Sequence, residues 1–222
     1  MKYLTLRNSI YVAIVVYVCS FVLSFCVNKN EIINIEVDTK NERIITKEDQ
    51  YLTSQNAFER FKHIAINNEN VVILNYIGAL SLGFSSLIQI AFNGFTFGSY
   101  VGVYSNYMPF KIILKYTLPH SFELVAIIFS GGEGLYLGVS FILCLFGYKN
   151  IKEYNFIKVA FHFMLYTVII GLAAFVEAYI TMSLWKNTNF GIPYLCVSVL
   201  YLWYCHLYHN SSLKFAYMAM RP

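Results

Sequence analysis

Four ionisable side chains lie within long apolar stretches of this 222-residue sequence, namely His120, Glu123, Glu133 and Glu177. A charged side chain at membrane depth is costly, so residues of this kind face a protein interior or a water-filled cavity and mark sites of function. His120 and Glu123 are three positions apart, which places them on one face of a helix. These four residues are therefore the candidate site, a polar cluster inside a membrane-spanning bundle.

The cluster has three interpretations from residue types alone. It could be a hydrogen-bond network that locks neighbouring helices together, or a path for protons or cations. It could also be a metal site for hydrolysis inside the membrane, because one imidazole and two carboxylates are plausible zinc ligands. The sequence contains no HExxH motif and no second histidine near the cluster, so we expect no metal and no cofactor.

Composition decides the class of protein. Hydrophobic residues make up 58% of the chain and charged residues only 13%, whereas a soluble domain is about a quarter charged. The formal net charge is +4, and the mean hydropathy is +0.54. These values argue against a soluble globular enzyme, a disordered chain and a nucleic-acid binder. They predict an all-α polytopic transmembrane helix bundle in contact with the lipid bilayer.

Charge-free runs set the number of spans. Asn70–Phe110 is free of Asp, Glu, Lys and Arg and is long enough for two helices, and Asn93-Gly94 near its middle predicts a turn. The six predicted spans cover about residues 8–28, 71–92, 94–108, 119–146, 159–184 and 190–209. Because 94–108 is short, five spans plus a re-entrant segment are the alternative.

The charges divide the chain into four parts. Residues 1–28 form an N-terminal transmembrane helix, and 29–69 form a polar segment with an amphipathic helix. Residues 70–213 form the helix bundle, and 214–222 form a short tail. Lysine and arginine concentrate in the loops that six spans place inside, which predicts cytoplasmic termini and an extracytoplasmic 29–69 segment.

Depth along the predicted helices brings part of the candidate site together. At a rise of about 1.5 Å per residue, Glu123 lies about 6 Å and Glu177 about 10 Å from the same membrane face. His120, Glu123 and Glu177 can therefore meet. Glu133 lies deeper, near the midplane, and His162 is expected to be separate from the cluster.

Small residues recur at four-residue spacing, which lets two helix backbones approach closely. The turn and packing residues predicted from this pattern are Asn93, Gly94, Gly98, Gly102, Gly131, Gly132, Gly134 and Gly138. Gly131, Gly132 and Gly134 surround Glu133, which predicts a locally broken or tightly packed helix at that point.

Several segments resemble the stage II sporulation protein M family. The run Leu118-Pro119-His120-Ser121-Phe122-Glu123-Leu124 is similar to its Leu-Pro-His…Phe-Glu-Leu signature, and Gly134-Leu135-Tyr136-Leu137-Gly138 to its Gly-Leu-x-Leu-Gly element. Other segments also match its motifs: Asn67-Asn68, Phe92-Asn93-Gly94-Phe95-Thr96-Phe97-Gly98 and Phe175-Val176-Glu177-Ala178-Tyr179-Ile180-Thr181. The resemblance covers residues 67–181. It implies an integral membrane protein that acts in a complex, with peptidoglycan-degrading partners in the founding members and in bacteriocin export, self-immunity or transport in relatives.

The sequence thus predicts a multi-pass protein of the bacterial cytoplasmic (inner) membrane. We expect a non-enzymatic component of a complex for envelope remodelling, export or immunity. Its expected partners are other membrane or envelope proteins, with a homo-oligomer also compatible and nucleic acid excluded. The alternatives are a proton- or ion-coupled transporter component and, more remotely, an intramembrane metallohydrolase. No nucleophile motif, phosphate-binding loop or dinucleotide fingerprint is present.

Overall fold

The computed structural model describes residues 5–29, 37–38, 43–44, 56–110, 113, 117, 120–148, 150 and 155–181. All of them belong to one compact unit, Met1–Thr181. The sixth predicted span at 190–209 and the tail at 214–222 lie outside the described residues.

The described residues form α-helices and one minimal hairpin. The helices are α1 Leu6–Asn28, α2 Ala57–Ile77, α3 Phe84–Tyr104, α4 Ser121–Leu145 and α5 Phe156–Phe175. The last of them continues directly into a π-helical segment, Val176–Thr181. Between α1 and α2, strands β1 Val37–Asp38 and β2 Arg43–Ile44 pair antiparallel over two residues each. The predicted all-α class is confirmed.

Polar residues cap three of these helices at their N-termini, where backbone N–H groups lack helical partners. Thr5 Oγ1 accepts from the Asn8 N–H at 3.2 Å and starts α1. Asn56 Oδ1 starts α2, and Asn155 Oδ1 starts α5 by accepting from the Lys158 N–H at 2.9 Å. Each of these three helices therefore begins at a defined residue.

Three helices in the described part of the chain are long and apolar enough to cross a membrane. They are Leu6–Asn28, Ser121–Leu145 and the helix that extends through Phe156–Tyr179. Their length and composition support the predicted membrane protein. The six-span count and the orientation of the termini stay predictions.

The turn predicted at Asn93-Gly94 is wrong, because both residues lie inside α3. The turn that joins α2 to α3 lies at residues 78–83 instead. Leu82 and Gly83 there have φ values of 59° and 92°, and glycine tolerates this left-handed backbone at no steric cost. The second helix also begins earlier than expected. Ala57–Ile77 is continuous and crosses the boundary placed after residue 69.

Helix α1 packs on α3 along three glycines at four-residue spacing. A Cβ atom at Gly94 would lie 2.5 Å from the Tyr17 carbonyl oxygen. At Gly98 a Cβ atom would overlap the carbonyl oxygen of Phe21, and the same close approach recurs at Gly102 against α1. The two backbones are in contact over more than two helical turns because these positions carry no side chain.

Candidate functional site

Three of the predicted residues meet at one end of α4 and α5. His120 immediately precedes α4, Glu123 lies in its first turn, and Glu177 lies in the π-helical segment. Nδ1 of His120 is 3.5 Å from Oε2 of Glu123 and 3.1 Å from Oε2 of Glu177. The structure therefore brings His120, Glu123 and Glu177 together, and we call these three residues the HEE cluster.

The HEE cluster is buried on its carboxylate side and open on its imidazole side. The side chains of Glu123 and Glu177 are 7% and 20% exposed, whereas that of His120 is 41% exposed. Oε1 of Glu123 and Oε2 of Glu177 are buried and have no hydrogen-bond partner among the residues that the structure describes. The contact between His120 and Glu177 is thus close in distance but does not have hydrogen-bond geometry. Buried polar atoms of this kind require an explanation.

Helix α2 supports the end of α5 where Glu177 lies. Nη2 of Arg60 donates to the carbonyl oxygen of Ala178 at 3.3 Å, and the Phe61 and Tyr179 rings pack with their centroids 6.4 Å apart. The helix around Glu177 is π-helical, a form that is rare and concentrated at functional sites. These contacts hold the helix turn that carries Glu177 against its neighbours.

Glu133 belongs to a different site. Its Oε2 accepts from the Tyr76 hydroxyl at 2.7 Å, and its Oε1 is 2.9 Å from Nδ1 of His162. We call Glu133, Tyr76 and His162 the YEH site. Glu123 and Glu133 are ten residues apart on a continuous helix, which separates them by about 15 Å.

The predicted cluster of four is therefore corrected to two sites, because helix rise alone keeps Glu133 away from His120. His162 lies apart from His120, Glu123 and Glu177, as expected, but it contacts Glu133, and the sequence did not predict that pairing. Sequence reasoning missed Tyr76, which is one of many tyrosines in the chain. The signal that could have found it is that Tyr76 lies in an apolar stretch of a helix that must bury one face.

Asn75, the neighbour of Tyr76, is a second residue that sequence reasoning missed. Its side-chain N–H groups donate to the Ile127 carbonyl oxygen at 3.1 Å and to Ser130 Oγ at 2.9 Å. The backbone carbonyl oxygen of Asn75 accepts a hydrogen bond from Ser86 Oγ at 2.8 Å. An amide at membrane depth that bonds across helices joins them, so Asn75 ties α2 to α3 and α4.

The glycines of α4 make the close packing around these polar groups possible. A Cβ atom at Gly131 would lie 2.5 Å from Ile90, and one at Gly132 would lie 2.8 Å from Ile10. Gly134 and Gly138 face the backbones of Asn75 and Gly83 so closely that a Cβ atom would overlap them. Helix α4 is continuous here, so these glycines serve packing and do not break the helix.

The HEE cluster has the donor set and the dimensions of a cation site. One nitrogen or oxygen atom from each of its three side chains lies within 4.8 Å of the other two. The YEH site has one carboxylate, one imidazole and one phenol in hydrogen-bond contact, an arrangement that can move a proton between helices.

Comparison with known proteins agrees with the resemblance seen in the motifs. An uncharacterized protein of Methanocaldococcus jannaschii is 33% identical over 130 residues, which are 54% of this chain and 70% of that relative. No solved structure matches the chain. The model of the stage II sporulation protein M family matches residues 12–182, which include most of α1, all of α2 to α5 and both polar sites. The chain is a membrane protein and belongs to the stage II sporulation protein M family.

Proposed function

We propose that this protein is a non-enzymatic component of a membrane complex for envelope remodelling, export or immunity. The observation that carries the proposal is the use of its polar groups. In the described helices, Asn75 and Glu133 each bond to side chains on other helices, and the glycines of α3 and α4 bring the backbones together. This arrangement stabilises a fixed bundle that can present its outer surfaces to partners.

The outer surface of α1 supports the same proposal. One face of α1 packs on α3 and α4, while Val15, Leu23 and Val27 are exposed. In a membrane such a face contacts lipid or the apolar helix of another protein. The proposed setting is a multi-pass arrangement in the bacterial cytoplasmic membrane, with membrane or envelope proteins as partners.

The test is to isolate the complex from native membranes in a mild detergent. The protein should migrate well above its own mass of 25.6 kDa, together with a defined second polypeptide. Genes beside its own for hydrolases, bacteriocins or ABC transporters would identify which pathway it serves. Migration as a lone chain in every detergent would contradict the proposal.

A second candidate, a proton- or ion-coupled transporter component, is favoured by the YEH site. Glu133 lies in the middle of α4 and is bonded to both α2 and α5, which is how carboxylates and histidines are arranged in proton relays. Purified protein in liposomes with an enclosed pH dye separates the two candidates. A scaffold passes no protons, whereas a transporter passes protons that Glu133→Gln stops. Glu123→Gln and Glu177→Gln likewise spare a scaffold and abolish proton coupling through the HEE cluster.

A further inference from the structure

We propose that His120, Glu123 and Glu177 bind one divalent transition-metal ion of the Zn²⁺ type. The sequence predicts no metal, because the ligands follow no recognised spacing. Packing of α4 against the end of α5 supplies the proximity that the spacing does not. This inference goes beyond the proposed function and does not depend on it.

The distances between the three side chains fit the inner shell of such an ion. Zinc ligands stand about 2.1 Å from the metal, so two ligands in tetrahedral geometry are about 3.4 Å apart. The two measured separations from Nδ1 of His120 are 3.1 and 3.5 Å. All three ligand atoms lie within 4.8 Å of one another, so one ion can contact all of them with small side-chain adjustments.

The unpaired carboxylate oxygens point to a ligand independently of these distances. Glu123 is 5% exposed as a residue, and its Oε1 has no hydrogen-bond partner in the described part of the chain. Oε2 of Glu177 also lacks one, although it lies close to His120. A buried carboxylate, Glu123, and a partly buried one, Glu177, face one imidazole, and such charges are costly to leave uncompensated. A divalent cation between them neutralises both charges and takes up lone pairs of Glu123 Oε1 and Glu177 Oε2.

The donor chemistry selects the class of ion. Imidazole nitrogen suits Zn²⁺ and its neighbours in the first transition row, whereas all-oxygen sites suit Mg²⁺ and Ca²⁺. Three protein ligands leave a fourth position for water or another ligand, as in open zinc sites. The half-exposed His120 marks the side from which an ion enters.

The experiment is a zinc titration of the full chain, purified in detergent and stripped with a chelator, by isothermal calorimetry. We expect one Zn²⁺ per chain. His120→Ala and Glu123→Gln should each weaken binding at least about tenfold, the loss that even outer-shell changes cause in metal sites. Glu133→Gln, which alters the other buried carboxylate of α4, should bind Zn²⁺ like the unaltered chain.

Two further measurements keep the inference falsifiable where a variant folds poorly. Zn²⁺ should raise the Tm of the unaltered chain and of Glu133→Gln, but not that of His120→Ala. His120 is the most exposed residue of the HEE cluster, so its replacement disturbs the fold least. After dialysis, inductively coupled plasma analysis should find zinc in the unaltered chain and in Glu133→Gln, but not in His120→Ala. Absence of stoichiometric zinc, equal binding by His120→Ala and the unaltered chain, or equal affinity for Mg²⁺ and Zn²⁺ would each overturn the inference.

Discussion

Nδ1 of His162 lies 2.9 Å from Oε1 of Glu133, and this pair joins α5 to the middle of α4. The side chains are 8% and 3% exposed, respectively. The Tyr76 hydroxyl binds the other carboxylate oxygen from α2. One carboxylate thus holds three helices together, and removing it leaves both a phenol and an imidazole without that partner.

The first prediction is that Glu133→Ala and His162→Ala each destabilise the bundle by about 1–3 kcal/mol, the usual loss when a buried polar group loses its partner. The double variant should lose less than the sum of the two, because the second change removes a group that has already lost its contact with the other. Unfolding in mixed micelles, followed by circular dichroism, measures all three. Glu59→Ala is the control, since the side chain of Glu59 is 49% exposed and its ion pair with Lys62 is long, at 3.8 Å. Its stability should stay within about 0.5 kcal/mol of that of the unaltered chain. Strict additivity would contradict the coupling.

The second prediction concerns the contact between α1 and α3. Gly98→Ala should destabilise by about 1–3 kcal/mol, because the added methyl group meets the Phe21 carbonyl oxygen and forces the helices apart. Gly98→Leu should reduce the amount of protein in the membrane further. The effects of both variants are measured as the amount of protein that accumulates in membranes and as thermal unfolding in detergent.

Gly171 is the matched control for Gly98. It lies inside α5, and a Cβ atom there would have no neighbour within 4 Å among the described residues. Gly171→Ala should therefore be neutral or slightly stabilising, as glycine is a poor helix former. Gly147 is a weaker control, because its φ of 72° would strain any side chain. Equal effects at Gly98 and Gly171 would refute the close packing of α1 on α3.

The sequence predicted the helical class and the membrane setting well, because both follow from long apolar runs. It misplaced the turn at Asn93-Gly94, since that dipeptide is a turn signal in water but also part of a small-residue stripe. In the structure Gly94 lies inside α3 and allows the backbone of Tyr17 to approach closely, so the dipeptide serves helix packing and not a turn. The start of the second span was placed after Glu69, whereas α2 runs through this residue. Its charge marks a loop on composition alone, whereas in the fold the Thr167 hydroxyl donates to its carboxylate.

For the candidate site, spacing and depth sufficed to bring His120, Glu123 and Glu177 together. They also kept His162 apart from these three residues, but they did not predict its contact with Glu133, because that contact depends on how α5 packs against α4. Sequence separation also hid Asn75 and Tyr76. The partners of their side chains lie more than fifty positions away, and such contacts depend on which helices pack side by side.

The third prediction is topological and rests on the lysine and arginine distribution. Reporter fusions after Lys152 and Lys214 should report a cytoplasmic location, and fusions near Asp38 an external one. Paired reporters, one active only inside and one only outside, provide the control at every site. A cytoplasmic reading at Asp38 or an external reading at Lys152 would exclude the six-span arrangement.

The fourth prediction is that Glu123 and Glu177 act as one unit across α4 and α5. In the presence of a chelator, Glu123→Ala and Glu177→Ala should each cost about 1–3 kcal/mol of stability. The double variant should again be less than additive, because the two carboxylates share His120. The measurement is unfolding in mixed micelles with the chelator present throughout.

Cross-linking tests the same relationship by distance alone. Cysteines at positions 123 and 177, in a chain whose native cysteines at 19, 26, 144, 196 and 205 are replaced, should join through a short reagent. A pair at 133 and 177 should not, since Glu133 lies about 15 Å further along α4. Additive energies together with no cross-link at 123 and 177 would show that the two glutamates face different surroundings, and the shared site would have to be abandoned.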